Sequence, residues 1–290
     1  MKRREFWVFV APSIIVMFGL LVIPLYKTLR WSFEEVTYGS PGSWVGLQNY
    51  TQALTDSRFL KALVFTTGLT ITTTAVVVVL AYVLAVMVNR LTWPRPIVLG
   101  IMLIPYVIPS VVGSAAYSWL FDSNFGGIVN LVISKVTGLD ILWFTDVWPN
   151  RLLLMSNIVW SMLPFAMLMI LAGLQGVSKE VVEAGRMDGA NLFQRHWHII
   201  IPSIRGIMGF VLLILTMDIF RVFDQLIPLS PSAAQIGNES VMLYVFNIAF
   251  REGSPQLGLG SAVNVLSIIV IMILLYPSIR GILKEARGRD

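Results

Sequence analysis

Uncharged apolar runs constrain the fold of this chain more than any other feature. Residues 6–26 contain no charged side chain, and about 20 apolar residues are enough to cross the hydrocarbon core of a membrane. Of the 290 residues, 56% are hydrophobic and only 13% are charged, a balance that excludes a water-soluble globule. A cleavable signal peptide is the rival interpretation of the first run, but the run is too long and no small-x-small cleavage site follows it. The sequence therefore predicts an integral membrane protein of the all-α class.

Further apolar segments predict six transmembrane helices in total. They are residues 6–26, 62–88, 97–121, 152–174, 207–229 and 257–279. Pro105 and Pro109 predict a kink in the third span and Pro164 a break in the fourth, because proline removes a helical hydrogen bond. Residues 241–250 are too few to cross, so we expect an interfacial or re-entrant helix on the outer face.

The distribution of basic residues predicts the orientation of the six spans. Of the 21 Lys and Arg residues, thirteen fall on one side of the membrane and seven on the other, with Arg221 inside a span. Cytoplasmic loops carry the excess of positive charge. Both termini are therefore expected in the cytoplasm of a multi-pass inner-membrane protein. The basic residues are scattered at the ends of the apolar spans, as expected of a protein that contacts membrane lipid. Despite a net charge of +5, this distribution argues against a nucleic-acid partner.

A polar loop, residues 176–205, separates the fourth span from the fifth. Ser178 can cap a helix that runs through Met187, Gly189 suits a tight turn, and Asn191 can cap a second helix. In a chain that is otherwise embedded in lipid, such a polar segment is expected to bind a soluble partner on the cytoplasmic side.

The polar loop resembles the EAA loop of ATP-binding-cassette importer permeases. The matching residues are Glu183, Ala184, Gly185, Asp188, Gly189, Ala190, Gln194, Ile199, Ile201 and Pro202. Gly185 stands where a second alanine is usual, and Ile201 where leucine is usual. The resemblance implies that the loop forms the coupling helix, which docks on the ATPase subunit. The docking residues it implies are Glu183, Ala184, Gly185, Asp188, Gly189 and Ala190.

The resemblance extends beyond this loop. Residues 45–50 are similar to the lead-in to the family's core helices, and residues 105–109 are similar to the half that corresponds to the larger maltose-transporter subunit. A first helix and outer loop, residues 1–60, would then precede a core permease domain, residues 61–290. The resemblance implies a carbohydrate importer in which this chain pairs with a second permease subunit, ATPase subunits and an extracytoplasmic solute-binding protein.

No catalytic or metal-binding motif points to chemistry in the chain itself. A P-loop needs a Gly-Lys pair, and the sequence has none, so ATP and Mg²⁺ are expected to be used by the partner ATPase. His196 and His198 have a spacing that does not place two ligands on one helical face, so they are expected in a solvated loop rather than a metal site. Cysteine is absent. A membrane enzyme would need a nucleophile with a base, or a metal-ligand set.

Polar residues inside the apolar spans are candidates for the translocation pathway. Asp218, Arg221 and Asp224 recur every three residues and would share one face of the fifth span, about 120° wide. This face is either a structural ion-pair ladder or a lining that bonds sugar hydroxyls. Further candidates are Asn157 and Trp160 on the fourth span, Tyr117 on the third and Asn264 on the sixth. An ion-coupled secondary transporter, with the charged face as its relay, is the alternative function.

Overall fold

Helices make up most of the described chain. The computed structural model describes residues 3–37, 41–251 and 253–287. The long helices are α1 (Arg3–Met17), α2 (Ile23–Trp31), α4 (Ser57–Asn89), α5 (Arg95–Val107), α6 (Ser110–Phe121), α8 (Val147–Gln175), α12 (Arg205–Phe220) and α16 (Leu257–Arg287). The short helices are α3 (Gln48–Thr55), α7 (Ile128–Thr137), α9 (Lys179–Met187), α10 (Leu192–Arg195), α11 (Ile201–Ser203), α13 (Leu226–Leu229), α14 (Ala233–Ile236) and α15 (Val241–Phe246). The all-α fold class is thereby confirmed.

Short irregular elements complete the described chain. The π-helical turns are Phe18–Val22, His196–Ile200 and Asn247–Arg251, and Ser123–Phe125 is a 3₁₀ turn. Strands β1 (Glu34–Glu35) and β2 (Ser43–Trp44) pair antiparallel, with Glu34 opposite Trp44.

Four helical stretches in the described residues are long and apolar enough to cross a membrane. They are Trp7–Trp31, Ser57–Asn89, Val147–Gln175 and Leu257–Gly281. Two further apolar pairs are sharply bent: α5 with α6 by 100°, and the Leu192–Ser203 stretch with α12 by 75°. The described residues thus hold four to six spans, and the predicted count of six is the upper limit.

Proline acts differently in the third and fourth predicted spans. The third breaks at Ile108, whose ψ of 131° is extended, because a residue that precedes proline is driven out of the helical region. The sequence predicts a kink within one helix, whereas the structure has two helices, α5 and α6, that meet at a bend of 100°. The predicted break at Pro164 is wrong: α8 runs continuously through this buried residue. A membrane helix tolerates one missing hydrogen bond where neighbouring helices surround it.

The predicted end of the fifth span is also wrong. Helix α12 stops at Phe220, and Arg221 takes up a non-helical conformation with φ −87° and ψ 12°. The carbonyl of Val222 accepts a hydrogen bond of 2.8 Å from the Ser240 hydroxyl, a contact that replaces an intrahelical one. Residues 221–225 therefore form a turn before α13.

The chain divides into two compact units. One comprises the residues up to Lys61 with Val241–Val270, and the other comprises Ala62–Ser240 with the residues from Ile271 onward. In the first, the Asn49 amide donates to the carbonyls of Ser32 (3.1 Å) and Glu34 (2.9 Å) and so anchors α3 to the strand.

In the second unit, α8 packs against α5, α6, α12 and α13. Its core-facing side chains are fully buried: Leu153, Leu154, Ile158, Met167 and Ile170. They lie on more than one side of the helix, so α8 is surrounded by other helices at the centre of this unit.

Candidate functional site

The polar loop folds as two capped helices joined by a glycine turn. The Ser178 hydroxyl accepts a bond of 3.4 Å from the backbone N–H of Val181 at the start of α9. Gly189 has φ +80°, which favours glycine over any residue with a Cβ. Asn191 and Gln194 form a reciprocal capping box, with both bonds 2.8 Å long, at the start of α10. The predicted helix, turn and helix, with both caps, are confirmed.

Most of the residues that match the coupling-helix pattern lie on the surface of this loop. The exposed ones are Glu183, Ala184, Asp188 and Gly189, and the half-buried ones are Gly185 and Ala190. A Cβ at Gly185 would meet the end of the Ile199 side chain. The glycine that replaces the usual alanine thus allows α9 to approach the helical turn around Ile199 closely.

An exposed apolar surface lies beside these residues, and the sequence reasoning missed it. Met187 is 87% exposed, and the rings of Phe193 (73%) and Trp197 (60%) stack with centroids 6.1 Å apart. The i, i+4 spacing of the two aromatic residues was the available signal. Large apolar side chains on a polar, water-side segment are typical of a protein-binding surface.

The polar loop is bonded to the second predicted span through His196. Its Nδ1 lies 2.7 Å from the Tyr82 hydroxyl on α4, and the two rings meet edge to face. His196 is half-buried, so the expectation of a solvated loop position is wrong for this histidine. His198 is exposed, as expected.

Three of the predicted pathway residues meet where α6 packs on α8. The Ser114 hydroxyl donates to Oδ1 of Asn157 (3.1 Å), and the Tyr117 hydroxyl donates to Oγ of Ser156 (3.1 Å). The rings of Tyr117 and Trp160 lie 5.6 Å apart. An amide and two aromatic faces are therefore concentrated on one pair of helices.

The Asn157 side chain is only half satisfied. It is 1% exposed, and its Nδ2 has no hydrogen-bond partner. A buried unpaired donor costs free energy that most folds avoid, so such a group is a candidate for contact with a ligand.

The charged residues of the fifth predicted span do not share a helix face. Arg221 Nη2 pairs with Asp218 Oδ1 at 3.0 Å, but the two side chains are 57% and 38% exposed. Asp224 lies beyond the end of α12 and accepts a bond of 2.9 Å from the Ser110 hydroxyl on α6. The prediction that all three residues share one helix face is wrong because the helix ends before Arg221, although the Asp218–Arg221 ion pair of the predicted ladder is present.

Helix α6 connects these groups through a polar row that the sequence reasoning did not identify. Ser110, Ser114 and Tyr117 recur at i, i+4 and i+7, on one face of the helix. They contact Asp224, Asn157 and Ser156, respectively. The row begins next to the break at Ile108, so the bent helix carries polar groups along its length.

Asn264 belongs to the first unit. It is half-buried on α16, where the neighbouring Ser261 and Ser267 are buried and the Ser267 hydroxyl donates to the Val263 carbonyl (2.7 Å). A pathway role for Asn264 stays a prediction. Among the described residues, no group of three or more His, Cys, Asp and Glu side chains could hold a metal ion.

Long apolar helices, sharply bent apolar pairs and an exposed helix-turn-helix loop define a class of protein. Irregular backbone at membrane depth is tolerated only where it is surrounded by protein or lines a cavity, and broken helices with polar faces are typical of membrane transport proteins. The chain is therefore an α-helical transport protein of the membrane.

Comparison with known sequences gives the family. Residues 77–284 match the family described as "Binding-protein-dependent transport system inner membrane component". The chain belongs to this family and is a permease subunit of an ATP-binding-cassette importer.

Relatives and solved structures agree with this assignment. The chain is 25% identical to the trehalose/maltose transport system permease protein MalF of Thermococcus litoralis (94% of this chain, 92% of the relative). It is 29% identical to the trehalose transport system permease protein SugA of Mycobacterium tuberculosis (91% and 84%). A bacterial ABC transporter that imports the acidic polysaccharide alginate has the same fold, with a TM-score of 0.84, 18% identity and coverage of 98% and 96%. The same holds for the alginate transporter in complex with an alginate pentasaccharide-bound periplasmic protein (0.82, 18%, 96% and 93%).

Proposed function

We propose that this chain forms half of the translocation pathway of a sugar importer. Its relatives are named for trehalose and maltose, and a protein with the same fold imports alginate. The neighbouring complex contains a periplasmic binding protein. By this proposal the chain works with a second, different permease subunit, with ATPase subunits that use ATP and Mg²⁺, and with an extracytoplasmic solute-binding protein.

The single observation that carries the proposal is the geometry of the polar loop. Capped helices on both sides of Gly189 hold the backbone in one conformation. Glu183, Asp188 and the apolar surface at Met187, Phe193 and Trp197 are presented to water. A preorganised surface that combines acidic and apolar groups is suited to dock in a cleft of the ATPase. The basic bias of the chain supports a cytoplasmic position for this surface and for both termini.

The polar face of α6 and α8 is the proposed sugar contact. Sugars bind through hydroxyl hydrogen bonds and through stacking of their apolar faces on aromatic rings. The unpartnered Nδ2 of Asn157 supplies a donor, and Tyr117 with Trp160 supplies aromatic faces. Asp218, Arg221 and Asp224 offer further polar groups at the end of α12 and beside the start of α6, whereas Asn264, in the other unit, is a separate pathway candidate.

An ion-coupled carrier is not favoured. The relay it required was one charged helix face, and Asp218, Arg221 and Asp224 do not form such a face. A carrier of that kind also has no use for an ATPase-docking loop, whereas this family is defined by transport that depends on a binding protein.

The docking proposal is tested by charge reversal in the polar loop. Glu183→Lys and Gly189→Asp are expected to abolish ATP-driven uptake in proteoliposomes and to lower co-purification of the ATPase. The first reverses a surface charge, and the second strains a turn at φ +80°. Both should leave the subunit in the membrane, because neither touches the apolar helices.

The matched control is Arg186→Glu, a charge reversal at an exposed position of the same helix α9 that lies outside the coupling-helix pattern. Uptake by this variant should stay close to that of the wild type. Normal uptake by both Glu183→Lys and Gly189→Asp would refute docking through this loop.

A further inference from the structure

A cavity of about 550 Å³ lies behind the polar loop, in the second unit of the chain. The end of α4, the end of α8 and the inner side of α9 and α10 enclose it. Its apolar lining consists of Val86, Leu174, Val177, Val182, Leu192 and Ile200. The cavity shares Glu183 with the proposed docking surface, but the rest of its lining faces the chain's own helices.

The charged lining of this cavity is predominantly basic. Arg90, Lys179 and Arg195 line it, together with one carboxylate, Glu183, and with His196. In the described part of the chain, none of the three basic side chains is in a salt bridge, and Glu183 pairs with none of them; Lys179 is attracted by the exposed Glu180 next to it. Like charges that converge on a partly enclosed space raise the local concentration of anions.

Arg195 carries a group that the chain leaves unsatisfied. Its Nε is buried and has no hydrogen-bond partner. A guanidinium N–H shielded from water without an acceptor is unfavourable. The Arg195 backbone is meanwhile held in α10 behind the Asn191 cap, through an N–H bond of 3.0 Å to the Asn191 carbonyl. The backbone that carries this donor is thus fixed in the wall of the cavity.

We propose that this cavity binds a phosphate group, which accepts hydrogen bonds from Arg195 and is neutralised by Arg90 and Lys179. Arginine donates in a planar fork that matches phosphate oxygens, and lysine adds a point charge. Such a ligand would bridge the end of α4, which carries Arg90, and the polar loop, which carries the other two residues. The loop would therefore be held more firmly against the membrane helices when the ligand is bound.

The phosphate group could belong to two kinds of ligand, and the aliphatic lining of the cavity is compatible with both. One is a free phosphorylated solute, and the other is the headgroup of a phosphate-bearing lipid in the same leaflet. The probes are inorganic phosphate, added to the full chain purified in uncharged detergent, and phosphatidic acid, added to the full chain in nanodiscs of phosphatidylcholine. Saturable binding of either probe is measured by direct titration, and binding of only one identifies the source.

Variants that are expected to change phosphate binding in opposite directions test the roles of the lining residues. Arg195→Gln and Arg90→Gln are each expected to weaken binding about tenfold or more, the loss associated with one charge-assisted contact. Glu183→Gln is expected to tighten binding, because it removes the one carboxylate among the described lining residues. Glu183 is also required for ATPase docking under the proposed function. Phosphate binding is measured by titration and docking by co-purification of the ATPase, so the two effects of Glu183→Gln are measured separately. Either proposal can fail without the other.

Arg186→Gln is the matched control. It removes the same charge from α9 but does not line the cavity, so phosphate binding should not change. If Arg195→Gln fails to fold, Arg90→Gln and Glu183→Gln decide the outcome. Absence of saturable binding of both probes to the wild type, or equal weakening by Arg186→Gln, overturns the proposal.

Discussion

Two buried asparagines on α8 provide a sharp test of which polar residues serve the fold and which serve transport. Asn150 and Asn157 are two turns apart on the same helix and are 0% and 1% exposed. They differ in hydrogen bonding. The perturbation is the replacement of each, separately, by the similarly shaped but apolar leucine.

Asn150 is fully bonded. Its Nδ2 donates to the carbonyls of Leu229 (2.8 Å) and Trp143 (3.1 Å), and its Oδ1 accepts from Ser230 (2.8 Å) and Asn238 (3.1 Å). Asn150→Leu strands the Ser230 hydroxyl and two carbonyls, and each stranded buried group costs about 1–3 kcal/mol. The expected loss is about 2–5 kcal/mol of unfolding free energy, since relaxation and water recover part of the sum.

Asn157 has one bond, 3.1 Å from Ser114, and one buried donor without a partner. Asn157→Leu strands the buried Ser114 hydroxyl, which costs about 1–3 kcal/mol, and removes an unsatisfied donor of similar cost. Unfolding free energy should therefore stay within about 1 kcal/mol of the wild type. Uptake should suffer instead: if Nδ2 bonds a sugar hydroxyl, the apparent affinity falls about tenfold, which corresponds to about 1.4 kcal/mol.

The assay combines thermal unfolding of the purified complex with uptake kinetics in proteoliposomes. Asn150→Leu should lower the unfolding midpoint, and Asn157→Leu should change the apparent KM with little change in the midpoint. The reasoning is refuted if Asn157→Leu destabilises the complex as much as Asn150→Leu does, or if it leaves uptake unchanged.

The remaining predictions concern the surface and the orientation. Because the Asp218–Arg221 pair is exposed, the double variant Asp218→Asn with Arg221→Gln should cost less than about 1 kcal/mol of stability in a denaturation assay. A loss of several kcal/mol would instead show that this ion pair has a structural role. The Ser178 hydroxyl, through its hydrogen bond, lowers the pKa of Glu180, so Ser178→Ala should raise that pKa toward its usual value, as measured by NMR titration. Because the pKa of Glu180 is lowered in the folded protein, its ionised carboxylate stabilises the folded loop at pH values above the usual carboxyl pKa. This contribution disappears as the pH falls through the lowered pKa. An unchanged Glu180 titration in Ser178→Ala would show that the Ser178 hydrogen bond does not lower the pKa. A reporter fused after Asp290 should be cytoplasmic, and its detection on the outside of intact cells would overturn the orientation.

Much of the polar loop could be predicted because its determinants are local. A serine before α9, a glycine at the turn and an asparagine with glutamine three residues later fix the caps over a few residues. Capping bonds join groups within three positions along the chain, so the residue types and their spacing are sufficient evidence. In that loop the exposed surface at Met187, Phe193 and Trp197 was overlooked, and the position of His196 was predicted wrongly.

The pathway was predicted less well because its determinants are remote. Residue spacing placed Asp218, Arg221 and Asp224 on one helix face, but the helix ends where Ser240 bonds the Val222 carbonyl, 18 positions away. Composition identified Tyr117, Asn157 and Trp160 as candidates, but not that Tyr117 and Trp160 are in contact.

The sequence by itself determined that the chain is a helical membrane protein, where its apolar runs lie and how its water-side loop folds. Apolar length, charge and capping are properties of neighbouring residues, so they need no knowledge of the tertiary structure. Only the tertiary structure decided which polar groups have partners. Ser110 meets Asp224 across 114 positions of sequence, and the Nδ2 of Asn157 meets no acceptor, while Asn150 on the same helix satisfies both of its polar atoms. Hydrogen bonding in a core depends on which helix surfaces pack together, and residue spacing within one helix does not contain that information.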